Sequence, residues 1–430
     1  MNEKKYFHAI KLVNENCTAC TKCVRVCPTE ALRVRDDKVE MDSTRCIDCG
    51  NCVKACEYNA IQTYADKLDI IEKFKYKVAI ISSSYAGQFS ESIGYATAKK
   101  ALLHIGFDEV AQEAMVTDMM SVMIQDYLKK NKDLRPIISS NCPAVVRLIQ
   151  VRFTSLLPHL LRIEAPMSIL AMYYRDMVCK QKNLSEDEVG VFLIVPCVSQ
   201  VTAVHQPEGT YKNLQDGAIS IREVYGKVMD KVSDAEEDET EIELYPNGLN
   251  WAISGMQADE IGNEEFHTMA VNGIHNVIDV LTKIEGDQLE YFDYIVMNSC
   301  INGCVGGVLN IENPFVATSR IKRLLQKSEH KYFEDELFYK MYQNGELDVI
   351  PLEGRPIMAL DKDIKSALMK MQKIGEIIKL LPNLDCSACG SPTCAALAED
   401  IVAGKASLDD CVVRSRKIKK ETSGKQKAGK

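Results

Sequence analysis

The sequence predicts an α/β protein whose body has mainly parallel sheets and lies between two cysteine-rich modules. Two observations predict it. Across the middle of the chain, short apolar runs ("YKVAIISSS", "RPIISSN", "VGVFLIVPC", "FDYIVMNSC") alternate with amphipathic stretches such as "GYATAKKALLHIGF", "MSILAMYYRDMV" and "HNVIDVLTKI". Strands that alternate with helices build parallel sheets. The second observation is the cysteine distribution: eight of seventeen lie in the first sixty residues and four between Cys386 and Cys411. Boundaries drawn on these grounds are residues 1–70, 71–375, 376–415 and a basic, flexible tail at 416–430.

A chain of 430 residues with 46% hydrophobic content buries a large core, and its length suggests about three domains. The start, "MNEKKYFHAIKL", carries charges where a signal peptide needs an apolar stretch, and the longest apolar runs fall well short of the ~20 residues of a membrane span. These features point to a cytoplasmic protein without a membrane partner. A net charge of −9 argues against nucleic acid, which demands a basic face. The acidic run Asp234 to Glu243 and the basic run Arg414 to Lys430 read as solvated segments. With disulfides unexpected in this compartment, closely spaced cysteines indicate metal.

The first module contains "CTACTKCVRVCP" and "CIDCGNCVKAC", a doubled C-x2-C-x2-C-x3-C run. It resembles the two-cluster ferredoxins of bacteria, in which three close thiolates hold one cubane and the fourth reaches the other. The resemblance assigns Cys17, Cys20, Cys23 and Cys56 to one 4Fe–4S cluster, and Cys46, Cys49, Cys52 and Cys27 to its partner. Glu57 replaces the proline expected after the second run and removes no ligand.

In the body, Cys142, Cys197 and Cys300 each stand just beyond the carboxyl end of a predicted strand, where ligands collect in open α/β sheets. Pro143 and "AVVRLIQ" place Cys142 at a helix N-terminus, where the dipole favours thiolate. Gly303, Gly306 and Gly307 allow close approach of backbone to a bulky inorganic ligand. Cys179 falls in no constellation and reads as a core thiol, and His205 as a satisfied histidine. At the far end, "CSACGSPTC" and "LDDC" offer Cys386, Cys389, Cys394 and Cys411. They resemble the small helical four-cysteine iron–sulfur domain appended to several redox proteins, with zinc as the competing occupant.

Across residues 1 to 320 the chain resembles the FeFe hydrogenases, through "SSNCP", "VPCVSQ" and "CINGCVGG". The resemblance implies an H-cluster: a cubane on Cys142, Cys197, Cys300 and Cys304, with Cys304 bridging to a two-iron site that carries carbonyl, cyanide and a dithiolate. The implied inventory is four 4Fe–4S clusters, one of them the H-cluster cubane, plus the two-iron subcluster. The implied partners are H2 and protons, an electron carrier such as ferredoxin or a signalling protein, and maturation proteins; a homo-oligomer is compatible with this reading.

Three positions depart from the family's turnover machinery. Asn141 stands where a proton-passing cysteine precedes Cys142, and an amide takes up no proton near neutral pH. Gln200 stands where a lysine meets a cyanide, so a charge-assisted hydrogen bond becomes a neutral one. Val195 and Asn298 replace flanking methionines, Ala165 replaces a relay serine, and the upstream helix "DMMSVMIQDYLKK" has no glutamate. With Cys304, Asn141 and Gln200 form the expected reacting set. The pattern resembles sensory-type members that turn over slowly and signal redox or H2 state, which also carry the carboxyl-terminal four-cysteine domain. The alternatives are a cluster-bearing assembly, scaffold or electron-transfer protein without a two-iron site, and a slow metabolic, ferredoxin-linked hydrogenase.

Overall fold

A computed structural model describes residues 6–210, 214–240, 243–328, 336–355 and 363–416. The chain divides into two compact units. One comprises Met1–Cys46, Asn51–Thr63 and Arg355–Lys430, so that both cysteine-rich ends apart from Cys49 fall in it; the other comprises Ile47–Gly50 and Tyr64–Gly354.

The amino-terminal part of the first unit is built from short elements: β1 (Ile10–Leu12), α1 (Lys22–Arg25), β2 (Leu32–Arg35), β3 (Lys38–Met41), α2 (Asn51–Ala55) and β4 (Ile61–Thr63). β1 pairs antiparallel with β4, and β2 with β3. The β2–β3 turn is made by Asp36 and Asp37, both at positive φ, the backbone that a two-residue hairpin turn requires. Each cysteine run therefore leads into a short helix and a strand.

The second unit holds two parallel sheets, as the alternating pattern predicts. Its first six elements are β5 (Tyr76–Ile81), α3 (Tyr95–His104), β6 (Glu109–Gln112), α4 (Ala114–Lys130), β7 (Ile137–Ile138) and α5 (Pro143–Arg152). Next come α6 (Pro166–Lys182), β8 (Val189–Val195), α7 (Val198–His205), β9 (Gly217–Ser220), α8 (Ile221–Asp230) and α9 (Val232–Glu237). The last are α10 (Met256–Ile261), β10 (Thr268–Asn272), α11 (Ile274–Glu285), β11 (Tyr294–Asn298), α12 (Pro314–Lys327) and α13 (Leu337–Gln343). The sheet orders are β6-β5-β8-β9 and β10-β11-β7, with every pairing parallel. Every residue of β8 is buried, which explains its unbroken apolar run.

"RPIISSN" yields only a two-residue strand. Ile137 and Ser139 donate their N–H groups to Asp293 and Ile295, after which the chain leaves the sheet to bring Cys142 to the start of α5. The acidic run is not simply a solvated loop. Its first residues complete α9, Asp238 Oδ2 meets His104 Nε2 at 2.8 Å, and the Glu243 carbonyl accepts from Lys99 and Gln112. Residues 241 and 242 of that run, and 417–430 of the expected tail, lie outside the described residues.

The chain then returns to the first unit with α14 (Ile364–Leu380) and α15 (Cys394–Val402). A small core of Ile377, Leu381, Leu397 and Ala398, closed by Cys394 and Cys411, joins the two helices. Among the described residues no helix is long and apolar enough to cross a membrane.

Candidate metal centre

Three loops at the carboxyl ends of β7, β8 and β11 carry Cys142, Cys197, Cys300 and Cys304. Cys142 is the N-cap of α5, with Pro143 at the first helical turn, and Cys197 is the N-cap of α7. Cys300 lies two residues beyond β11, and Cys304 sits in a short 3-10 turn, Gly303–Gly306. The four thiols are near enough to act on one another. Burial, then Cys300 and Cys142, push the Cys197 thiol up to about 12, while the Ser199 and Gln200 amides that point at its sulfur pull the other way. Burial, then Glu113 and the other three thiols, push Cys304 well above the usual thiol value. Four crowded sulfurs with no internal counter-charge fit a metal centre, because a bound cation removes this penalty by taking them as thiolates.

The three glycines also allow close approach of backbone to backbone. A Cβ on Gly307 would lie 2.3 Å from the Pro196 carbonyl oxygen, one on Gly306 2.2 Å from that of Ile301, and one on Gly303 2.8 Å from that of Ala252. What approaches closely is backbone. The Leu309 N–H also donates to the Pro196 oxygen at 2.8 Å, so Gly307 and Leu309 together lock the Cys304 loop onto the Cys197 loop.

Beside these loops is a cavity of about 490 Å3 whose lining includes Asn141, Pro143, Arg147, Glu164, Leu193 and Gln200. The Asn141 Oδ1, Gln200 Oε1 and Ser299 Oγ atoms are buried and have no hydrogen-bond partner among the described residues. Each flanks one of the three cysteine loops. Orphaned buried polar atoms are rare and point to an absent partner, so these residues fit a polar, bulky cofactor.

The structure also places groups here that sequence reasoning missed. Arg147, one turn into α5, is buried and donates to the Ser199 carbonyl at 3.1 Å, directly before Gln200. Glu113, immediately before α4, lines the cavity and accepts from the Ser83 N–H at 2.8 Å; burial raises its pKa. Glu164 lines the cavity too, and burial pushes it up to about 7. No motif marks these residues, since they reach the site from separate elements. His205 is satisfied by Asp66 at 2.9 Å, as expected. Cys179 is not a core thiol: it is half-buried on α6 and lines a surface cleft, because the α6 stripe facing the core runs through Leu170, Tyr174 and Val178.

In the first unit, Cys17, Cys20, Cys23 and Cys56 line one small cavity, with Val34 and Val39 as walls. Burial, then Cys20 and Cys56, push Cys23 up to about 11. Cys27 is half-buried behind α1, Cys46 is buried and Cys52 is buried in α2; Cys49, which falls in the second unit, is half-buried. Cys386, Cys389, Cys394 and Cys411 also line a single cavity, and the Asp385 carboxylate accepts from the Cys394 N–H at 2.6 Å. Sets of four converging thiols fit iron–sulfur clusters.

Comparison with known proteins agrees with this arrangement. Residues 75–242 match the family described as iron only hydrogenase large subunit, C-terminal domain. Residues 9–57 match a 4Fe-4S dicluster domain and residues 381–413 an Fe-S cluster model. Among curated proteins, the corrinoid/iron-sulfur protein large subunit of Moorella thermoacetica is 56% identical over 36 residues, 8% of each chain. The cytosolic Fe-S cluster assembly factor nar1 of Aspergillus clavatus is 25% identical over 114 residues, 26% of this chain and 18% of that one. The chain thus spans less than a fifth of the length of these two curated relatives. The FeFe hydrogenase HydA1 from Chlamydomonas reinhardtii, solved as a variant, superposes with a TM-score of 0.51 at 14% identity, covering 66% of this chain and 95% of that one. The structure of its apo form gives 0.51 at 13% identity with the same coverage. The fold is that of FeFe hydrogenases: an α/β body with parallel sheets, an amino-terminal ferredoxin-like domain and a carboxyl-terminal helical region. The chain is an iron–sulfur protein related to their H-cluster domain.

Proposed function

We propose that this chain is a sensory-type FeFe hydrogenase, an iron–sulfur oxidoreductase that interconverts H2 with protons and electrons slowly and signals redox or H2 state. The observation that carries this reading is the cavity of about 490 Å3 lined by Asn141 and Pro143 on either side of Cys142 and by Gln200 near Cys197, with the amide oxygens of Asn141 and Gln200 buried and without a partner among the described residues. A cubane held by four thiolates uses the sulfurs but leaves such a cavity without a purpose; a second, polar subsite next to the cubane gives it one.

On this reading Cys142, Cys197, Cys300 and Cys304 hold the cubane and Cys304 joins it to the two-iron group. That group supplies, when bound, the metal at which H2 is split or formed. Gln200 offers a neutral amide to a polar ligand, with the buried guanidinium of Arg147 one residue away on Ser199. Leu161, Met167, Leu193 and Val204 wall the cavity with apolar surface and limit water. Asn141 holds no exchangeable acidic proton at the position next to Cys142, which supports low turnover. The clusters that the cysteine-rich ends would hold supply, when bound, one-electron carriers towards an electron carrier or a signalling partner.

The match to an iron–sulfur assembly factor favours a second reading, a cluster-bearing assembly protein without the two-iron site. Infrared spectroscopy of the protein produced with hydrogenase maturation proteins separates the two. Carbonyl and cyanide bands are expected. A protein with full cubane iron and no such bands would establish the assembly reading instead.

A further inference from the structure

We propose that the Cys386/Cys389/Cys394/Cys411 centre is the outer electron port of its unit, exchanging single electrons with the Cys17/Cys20/Cys23/Cys56 centre through the Gly390–Val34 hydrogen bond, and that Asp400, with Arg33 and Arg35, clamps that contact. The inference rests on the reading that both cysteine sets hold iron–sulfur clusters.

The contact lies at the cysteine loop itself. The Val34 N–H donates to the Gly390 carbonyl at 2.8 Å. Gly390 directly follows Cys389, and the Val34 side chain walls the cavity of the first ferredoxin centre. A path from the Cys389 sulfur to that wall therefore runs through covalent bonds and one hydrogen bond, with no gap across solvent. Close approach at this point depends on glycine. Gly390 has φ +80°, and a Cβ there would lie 2.0 Å from the Val34 carbonyl oxygen.

The clamp is unusual for a simple domain contact. The buried Asp400 carboxylate accepts from Arg33 Nε at 2.7 Å, Arg35 Nη2 at 2.7 Å and Ser391 Oγ at 3.0 Å. Arg35 also donates to the Cys389 carbonyl at 3.0 Å and to Ser391 Oγ at 2.6 Å. Two arginines desolvated on one carboxylate gain little net stability over apolar packing, yet they fix geometry closely. The geometry they fix is that of the cysteine loop. Within this centre Cys386 is exposed while Cys394 and Cys411 are buried; in the ferredoxin centre Cys20 is exposed too. A redox partner thus has access to this centre, and the centre has a bonded route inward. The transfer is balanced by one electron lost at the reduced cluster and one gained at the oxidised cluster, with no proton required.

The test is electron paramagnetic resonance of the full-length chain reduced with dithionite, together with an iron count. Two reduced paramagnetic centres whose flanking segments share a hydrogen bond should split and broaden each other beyond the interaction within the ferredoxin pair. That extra splitting should vanish in Cys394→Ser/Cys411→Ser, while the ferredoxin signals remain. Asp400→Asn should reduce it with iron content unchanged. Wild-type protein with iron in all the cysteine-rich sites but no extra splitting would overturn the inference, and this needs no variant. Zinc or no metal at the four-cysteine site would overturn the cluster reading beneath it, a failure the iron count shows separately.

Discussion

Asn141 and Gln200 bear most directly on the proposed chemistry. The substitution of an amide for an acidic group was visible in "SSNCP", and the structure leaves that amide's oxygen buried without a partner. Replacing Asn141→Cys should raise hydrogen evolution about tenfold, on the low side of what one positioned acid–base group contributes. Full speed should not return, because Ala165 leaves the next position without a proton carrier and steps in series move the bottleneck outward. Hydrogen evolution against pH for both proteins is the measurement; a wild type already as fast as relay-containing hydrogenases would remove the premise. Arg147, Glu113 and Glu164 were not legible, because nothing in a one-dimensional pattern marks a buried charge whose partner lies on another element. The glycines after Cys300 were legible as a requirement for close approach but not as to what approaches, since the Pro196 backbone is distant in sequence.

At the scale of elements, α4 carries a polar cluster that periodicity does not reveal. Ser121 Oγ donates to Glu260 Oε1 at 2.6 Å and Trp251 Nε1 to Glu260 Oε2 at 2.9 Å, while Asp118 Oδ2 has no partner among the described residues. Burial, then the nearby Glu260, push Asp118 up to about 7. Its folded value thus lies above the unfolded carboxylate value of about 4. The stability tied to its protonation is complete below about pH 4 and is lost as pH rises through about 7. Asp118→Asn should therefore melt at the same temperature as wild type at pH 4 and increasingly above it towards pH 8. Equal melting temperatures at both pH values would show that Asp118 is not held protonated in the fold. The strands were foreseeable from their apolar runs, although "RPIISSN" overstated its strand. Its isoleucines are buried, yet the segment must leave the sheet early to place Cys142 at the start of α5.

For the whole molecule, sixteen cysteines in four-cysteine sets predict about 16 iron atoms before two-iron insertion and about two more after it. A count near 12 with zinc present would remove the Cys386–Cys411 cluster, and Cys179→Ala should leave the count unchanged. Spacing marked the iron–sulfur domains and the parallel sheets, because a cubane needs thiolates at short fixed intervals and a parallel sheet needs strands and helices in turn. Those are local constraints, written where they act. The cavity beside Asn141 and Gln200, the backbone lock between Gly307 and Pro196, and the Arg33–Asp400–Arg35 clamp came only from the folded chain. Arg33 and Asp400 are 367 residues apart, and their contact depends on two distant segments packing into one unit. A carboxylate buried by tertiary packing looks, along the sequence, like any other surface acid.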